Sequence, residues 1–304
     1  MAEPRRRHAG VEWITLATLA GCYGTWALAV FWLSGISLPA GVLLAAVAIA
    51  LHSSLQHEAL HGHPFRSERL NAALVYPAIG LFVPYGRFRD THLAHHRDAA
   101  LTDPYDDPES NYLAAEAWGR LCGLRRALFT VNNTLLGRML IGPALGQACF
   151  MLRDLRAWRS GQPGIAPAWA GHAVSAVAVL WCVAQFSPMP LWAYGLAAYG
   201  GLSILKIRTF LEHQAHEKAR ARTVIIEDRG LLAFLFLNNN LHVVHHMHPR
   251  VAWYHLPALY RKHRAHYLRV NEGYRYASYA EVLRRYLLRR KDPVIHPLIG
   301  HPGE

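Results

Sequence analysis

Four long apolar segments dominate the pattern of hydrophobic and polar positions along the chain. They cover about residues 11–33, 39–60, 168–186 and 189–205, and each has about the length that a helix needs to cross a bilayer. They form two pairs, because only the short uncharged sequences SGISLPA and SPMP join them. This pattern predicts an all-α integral membrane protein with four transmembrane helices in two hairpins.

The distribution of Lys and Arg predicts how these spans are oriented. Both short loops lack basic residues, whereas RRRH before the first span, residues 66–159 and the chain from Lys206 onward are rich in them. By the positive-inside rule, both termini and the middle segment face the cytoplasm. We therefore predict one domain over residues 1–304, with a cytosolic helical cap formed by residues 62–167 and 206–304.

Two further apolar runs are expected to lie in the membrane interface as interfacial or re-entrant segments. Residues 70–86 contain Pro77 and Pro84, and a full crossing there would break the charge rule. Residues 131–152 contain Arg138 in the middle of the run, where a charge in hydrocarbon would be costly. Neither run therefore changes the prediction of four spans.

The net charge of +12 indicates a basic surface that a negatively charged partner could bind. A basic cytoplasmic face is expected beside anionic lipid headgroups, and the amphipathic tail EVLRRYLLRR supports that interpretation. No nucleic-acid-binding motif accompanies the charge, so we expect the lipid bilayer and no nucleic acid as a partner. The four Cys form no CxxC pair, which argues against a thiolate metal site or a disulfide framework.

Histidine carries the candidate chemistry. HEALH (box one, His57 to His61), HLAHH (box two, His92 to His96) and HVVHH (box three, His242 to His246) repeat one spacing, and EHQAH follows the fourth span. On a helix, positions i, i+3 and i+4 share one face, so each box presents two or three imidazoles in one direction. The boxes lie at span ends or in cytoplasmic segments and are expected to converge. The eight box histidines and His213 of EHQAH make nine imidazoles, which fit two metal ions with open positions, of iron or zinc by ligand type.

Box one also matches the HExxH pattern of zinc peptidases, in which two His bind zinc and the Glu, here Glu58, activates a water. That interpretation leaves both HxxHH boxes without a role, so a membrane zinc metallopeptidase is only a remote alternative. Open positions on a multi-histidine iron pair instead suit oxygen activation.

Together the boxes resemble the membrane-bound fatty acid desaturase family, and its bacterial members in particular. The resemblance is carried by HEALHGHPFRS, DTHLAHHRDAALTDPYDDPES, RTFLEHQAHE and NNLHVVHHMHPRVAWYHLPALYRKHR, and runs from about His57 to His263. It implies a di-iron centre, a catalytic cap on four spans and an acyl chain that threads toward the metals. It also implies O2 as co-substrate, electrons from a separate ferredoxin, rubredoxin or cytochrome b5 type carrier, and a bacterial inner membrane.

The ligand positions of that family fall on nine histidines of this chain. They are His57, His61, His92, His95, His96, His213, His242, His245 and His246. Asn238 matches a position where the family often places an Asn near a metal-bound water, and His63 and His216 are additional candidates. Box one has the short HxxxH form, and Thr209 stands where some animal relatives carry Asn, so the subfamily stays open.

The resemblance predicts an oxidoreductase that desaturates the acyl chain of a lipid or thioester. An alkyl C–H bond has no acidic proton, so it calls for removal of a hydrogen atom by an oxidised metal centre. We expect two iron ions, with zinc in mis-metallated protein. The same ligands serve a hydroxylase or ketolase of an alkyl, acyl or carotenoid chain, which is the alternative. The acidic run Asp98, Asp103, Asp106 and Asp107 either orients box two or is an ordinary solvated loop.

Overall fold

The computed structural model describes residues 10–96 and 100–299, and this part of the chain is almost entirely helical. The helices are α1 (Trp13–Leu28), α2 (Ser34–Ile36), α3 (Leu38–Leu60), α4 (Glu68–Val75), α5 (Tyr85–His95), α6 (Ala115–Gly119), α7 (Gly123–Asn132), α8 (Leu135–Leu140), α9 (Gly142–Arg159), α10 (Ile165–Phe186), α11 (Leu191–Thr209), α12 (Leu231–Leu235), α13 (His242–Met247), α14 (Leu256–Val270) and α15 (Tyr279–Tyr286). Within the described residues, the strands β1 (Ile225–Ile226) and β2 (Arg275–Tyr276) form one short parallel pair.

Three helices of the described chain are long and apolar enough to cross a membrane. They are Trp13–Ile36, in which a π-helical segment joins α1 to α2, the helix Leu38–Leu60 and the helix Ile165–Phe186. They correspond to the first three predicted spans. The fourth predicted span forms the 19-residue helix α11, which carries Lys206 and Arg208 in its last turn and is more polar than the other three.

The helix α11 packs along α3 through small residues. A Cβ added at Gly201 would lie 2.6 Å from Ile49 Cγ2, and one at Gly200 would lie 3.1 Å from Ala46 Cβ. Such close approach of two helix backbones is typical of packing in membranes, where small residues replace the hydrophobic effect as the main source of contact. This packing fixes the end of α3 relative to the end of α11, where box one and EHQAH begin.

The outward faces of the long helices are apolar. Trp13, Leu43, Val174, Trp181 and Trp192 are all more than half exposed. A soluble monomer rarely leaves so much apolar surface uncovered. These faces fit a lipid environment, as expected for membrane-spanning helices.

The two additional apolar runs form no spanning helix. In residues 70–86, the helix α4 ends at Val75 and regular helix resumes only at Tyr85, after Pro84. Residues 131–152 are divided between α7, α8 and α9. Arg138 is buried there and donates through Nε to the carbonyl oxygen of Asn132 at 2.8 Å, so its charge is hydrogen-bonded.

An apolar core packs against one face of box three. Val243 and Val244 of α13 pack with Leu256, Tyr260 and Tyr267 of α14. The β1–β2 pair holds the chain before box three against the segment that leads into α15. Because one face of α13 is fixed in this apolar core, its histidine face is held in one orientation.

Candidate metal centre

Box one lies in the last turn of α3 and at its C-terminal cap. His57 and His61 are four residues apart, so both rings lie on one side of the helix, with ring centroids 4.9 Å apart. The helix ends here because the next residue, Gly62, has φ of +100°, a conformation that stops a helix and suits glycine. The end of α3 is thus placed by the sequence itself.

Boxes two and three each occupy a single helical turn. His92 and His95 lie in the last turn of α5 with His96 at its cap, and α13 begins at His242 and carries His245 and His246. His213 follows the end of α11, where a β-bridge to Thr223 fixes its backbone. Segments that are distant in sequence therefore meet through their histidines.

The nine predicted histidines form two adjacent clusters. The five-histidine cluster contains His57, His61, His92, His96 and His245, and the four-histidine cluster contains His95, His213, His242 and His246. Within each cluster the candidate ligand atoms lie within 4.8 Å of one another. The rings of His96 and His246 stack at 4.2 Å between centroids and join the two clusters.

The ring nitrogens of each cluster point at a common centre. Nε2 of His95 lies 2.8 Å from Nε2 of His213, which lies 3.1 Å from Nε2 of His242. In the other cluster, Nε2 of His96 lies 2.9 Å from Nε2 of His92 and 3.2 Å from Nε2 of His245. Two imidazole nitrogens that bind one ion at about 2.0–2.1 Å in tetrahedral geometry are about 3.3 Å apart, close to these separations.

Carboxylates on the far side of two box-two rings fix which nitrogen carries the proton. Nδ1 of His95 donates to Asp107 at 2.7 Å, and Nδ1 of His92 donates to Glu109 at 3.0 Å. A ligand histidine commonly donates its second N–H to such a group, which leaves the Nε2 lone pair for a metal. Of the predicted acidic run, Asp107 has this role in the geometry, whereas Asp98 lies outside the described residues. Glu109 was not anticipated, although it lies in the same sequence, DDPES.

A polar chain supports the four-histidine cluster in the same way. Nδ1 of His242 lies 3.1 Å from Oδ1 of Asn239, whose Nδ2 donates to Glu212 at 3.0 Å. Glu212 in turn forms an ion pair with Arg208. Sequence reasoning did not single out Asn239, because nothing in the run NNN before box three distinguishes the one residue that faces a ring.

The electrostatics of the site favour neutral imidazoles. Burial, together with the surrounding imidazoles, holds the pKa of His61, His96, His213, His242 and His245 well below the usual range. Burial also lowers the pKa of His95, but the carboxylates of Glu109 and Asp107 outweigh it and raise that pKa to about 9. A metal binds the neutral form of histidine, so most of these rings are already in the form that a metal needs.

The donor set fits metal ions. Nε2 of His57 and Nε2 of His61 are buried and have no hydrogen-bond partner among the described residues. A buried polar atom without a partner is costly, and a bound cation would remove that cost. Nitrogen ligands with neither thiolate nor carboxylate in the two clusters suit iron or zinc.

The three other candidates lie outside both clusters. His216 is partly exposed and its Nε2 lies 3.2 Å from Glu272. Asn238 donates through Nδ2 to the carbonyl oxygen of Trp253 at 3.1 Å. His63 belongs to a separate group with Glu12 and Glu58.

Glu58 does not face the box-one histidines as a peptidase would require. Its Oε1 accepts from the backbone N–H of Trp253 at 2.9 Å and lies 3.8 Å from Nε2 of His63. In a zinc peptidase the Glu of HExxH activates a water on the zinc that the two histidines bind. The geometry therefore offers no support for the peptidase alternative.

Two cavities reach the clusters from different sides. One, of about 330 Å³, extends along α9 and α11 and is bounded by Phe88, Leu202, Leu205, Glu109 and His213. The other, of about 690 Å³, is bounded by His61 and His96 together with Arg66 and Arg250. Each cluster is thus accessible from a cavity.

Two adjacent all-histidine clusters that meet beside the end of the apolar helix α3 form a candidate multi-histidine metal centre in a membrane protein. The sequence model of the fatty acid desaturase family matches residues 32–278, which include all nine cluster histidines, and the chain belongs to this family. The resemblance inferred from the boxes is thereby confirmed, and it supports an oxidoreductase in a membrane. A search of curated proteins finds no significant match.

Proposed function

We propose that this protein desaturates a fatty acyl chain with O2 at a di-iron centre held by the two histidine clusters. The observation that carries the proposal is the division of the eight box histidines and His213 into clusters of five and four in a chain of the fatty acid desaturase family. The reaction removes two hydrogen atoms from adjacent carbons and reduces O2, so two further electrons must come from a reductant. A bound iron pair supplies the oxidising power that an unactivated C–H bond requires.

The residues of the chain orient and shield this centre. His57, His61, His92, His96 and His245 would hold one ion, and His95, His213, His242 and His246 the other. Asp107, Glu109 and Asn239 keep protons on Nδ1 of the rings that they contact. Burial of most of these rings excludes bulk water, which protects reactive intermediates from side reactions.

The cavity of about 330 Å³ is the proposed site of the acyl chain next to the metals. Phe88, Leu202 and Leu205 supply an apolar part of its wall, and His213 also bounds it. An alkyl chain offers no polar group for recognition, so an apolar channel is what it requires. The acyl group of a lipid or of a thioester would enter here.

The proposed topology has four spans, formed by α1 with α2, by α3, by α10 and by α11. The fourth is included because α11 packs along α3 and pairs with α10, even though its last turn is charged. Lys206 and Arg208 would then lie at the cytoplasmic boundary, as the positive-inside rule favours. Both termini, the cap and the metal centre would face the cytoplasm of a bacterial inner membrane.

The electron donor would be a separate protein that approaches the cavity of about 690 Å³. Arg66 and Arg250 lie at this cavity together with the box histidines His61 and His96. Basic residues at such an opening favour a carrier with an acidic surface, since charge complementarity accelerates association. A ferredoxin, rubredoxin or cytochrome b5 type carrier would serve.

A lipid profile by mass spectrometry tests the proposal. Cells that express the protein should gain an acyl species two mass units lighter than its precursor, and cells that express the His95→Ala, His96→Ala variant should not. This variant removes one ring from each cluster, whereas His216→Ala, outside both, serves as the matched control and should retain the product. A product heavier by one oxygen would favour the hydroxylase or ketolase alternative, and an unchanged profile would contradict both.

A further inference from the structure

A third group of potential metal ligands lies beside box one, outside the two histidine clusters. It consists of Glu12, immediately before α1, Glu58 in the last turn of α3, and His63 just beyond that helix. All three side chains are buried, with relative exposures of 6%, 5% and 3%. Their candidate ligand atoms lie within 4.8 Å of one another.

The orientation of His63 is that of a metal ligand. Its Nδ1 lies 2.8 Å from Oε1 of Glu12, so the carboxylate holds the proton on Nδ1 and leaves a lone pair on Nε2. Nε2 is buried and has no hydrogen-bond partner among the described residues. A ring fixed by a carboxylate on one side, with a buried bare nitrogen on the other, is the arrangement seen around protein-bound metals.

The distance from His63 to Glu58 fits a shared ion better than a direct hydrogen bond. Nε2 of His63 lies 3.8 Å from Oε1 of Glu58, which is too long for a hydrogen bond. Two ligand atoms at about 2.0–2.2 Å from one tetrahedral ion are about 3.3–3.6 Å apart, which is within a few tenths of an ångström of the observed separation. Oε1 of Glu58 accepts one hydrogen bond, from the N–H of Trp253, and a carboxylate oxygen has a second lone pair to offer.

The charges and the access route favour a cation as well. Two buried carboxylates lie around the single His63 ring, and a divalent ion bound to Glu58 and His63 would add positive charge next to them. The cavity of about 690 Å³ is bounded by Glu12 and His63, so an ion and its remaining water ligands could reach the group from solvent.

We propose that Glu58 and His63 bind a third divalent transition-metal ion of the zinc type, with Glu12 orienting the His63 ring and adding the second negative charge. The ion would tie the start of α1 to the end of α3 and, through Glu58, to the backbone at Trp253. This site is separate from the proposed di-metal centre and does not depend on the reaction that occurs there.

Metal counting on the full-length protein in detergent tests this proposal. The protein is stripped with a chelator, loaded with zinc alone, desalted and analysed for zinc per chain. The wild-type protein should retain three zinc ions per chain, and Glu58→Gln and His63→Gln should retain two. Glu68→Gln removes a carboxylate from the wall of the same cavity outside the group, and should retain three.

The outcomes separate this proposal from the di-metal centre. Two zinc ions per wild-type chain would overturn it, as would three ions in every variant, because the third would then lie elsewhere. If the wild-type protein retained the third ion but not the two ions of the histidine clusters, the result would count against the proposed function and not against the third site. If Glu58→Gln fails to fold, Glu12→Gln tests the same site independently. We expect the zinc affinity of the third site in this variant to be about 10–100-fold lower than in the wild type.

Discussion

Nε2 of His95 and Nε2 of His213 lie 2.8 Å apart although 118 residues separate them in the chain. His95 ends α5, and His213 follows the end of α11. The contact therefore joins these two distant segments within the candidate site. Two imidazole nitrogens come this close only when they share a proton or bind a common metal ion.

Replacing His213 with Ala should therefore abolish metal binding in one cluster. Three imidazoles remain in the four-histidine cluster, and we expect metal content to fall by about one ion per chain and product formation by at least about 100-fold. Iron content by elemental analysis and product by mass spectrometry provide the measurements. His216→Ala is the control, since His216 pairs with Glu272 and lies outside the cluster. Equal losses in both variants would contradict the assignment.

Asp107 should affect the metal centre without touching a metal. Asp107→Asn weakens the acceptor for Nδ1–H of His95, so we expect metal affinity or activity to fall about 10–100-fold while the protein stays folded. Metal competition with a chelator reports the affinity. Asp106→Asn, which alters an exposed neighbour in the same acidic run, should behave as wild type. A normal affinity in Asp107→Asn would show that the hydrogen bond is dispensable.

The contact between α3 and α11 should not tolerate an added methyl group at Gly201. A Cβ there would meet Ile49 Cγ2 at 2.6 Å and the carbonyl oxygen of Ala46 at 3.2 Å, so the helices must separate. We expect Gly201→Ala to destabilise the protein by about 1–3 kcal/mol and to lower its Tm in detergent. Gly195→Ala in the same helix has nothing within 4 Å of the new Cβ and should leave the Tm unchanged. Equal Tm values for the two variants would argue against this packing.

Glu227 should make the stability of the cap depend on acid. Its carboxylate accepts from Arg264, Tyr260 and Arg275, and the Arg264 hydrogen bond is the main cause that lowers its pKa from 4.5 to about 2. A lowered folded-state pKa stabilises the protein above the unfolded value, and this contribution is lost as pH falls from 4.5 toward about 2.

Glu227→Gln should accordingly be less stable than wild type by about 1 kcal/mol at pH 7, with the difference fading between pH 4.5 and about 2. Thermal unfolding in detergent at several pH values measures it. Glu217→Gln, an exposed carboxylate elsewhere in the cap, serves as control. A difference that persists unchanged at low pH would show that packing, not charge, explains the effect.

The spacing within each box was enough to predict which histidines come together. Positions i, i+3 and i+4 share a helix face whatever the rest of the fold does, so box two and box three could be interpreted from local geometry alone. The division of the box histidines between two clusters could not be predicted from local geometry, because it depends on where α5 and α13 lie relative to each other. Sequence reasoning therefore gave nine residues and two ions, but not which residue belongs with which ion.

The supporting residues were harder to predict for the same reason. Glu109 and Asn239 reach their rings from loops whose path is set by tertiary packing, and nothing in local spacing marks them. His63 was named only as an additional candidate, since it follows Gly62 and lies on the far side of the helix from His61. Gly62 turns the chain at that point, and His63 consequently meets Glu12 and not the clusters.

Hydropathy predicted where the long helices lie better than it predicted how many of them cross the membrane. Three predicted spans coincide with helices of sufficient length and apolarity, because that signal needs only composition. The helix α11 is not among these helices, since charged residues in its last turn weaken the signal, and its proposed role as a span rests on its packing along α3.

Box two contributes His92 and His96 to one cluster and His95 to the other, and box three likewise divides His245 from His242 and His246. The separation between the two clusters is therefore set by the pitch of a single helical turn, which substitution cannot stretch or compress. A small rotation of α5 or α13 would disturb both sites in the same movement. The two sites are consequently mechanically coupled, and a distortion at one is transmitted to the other.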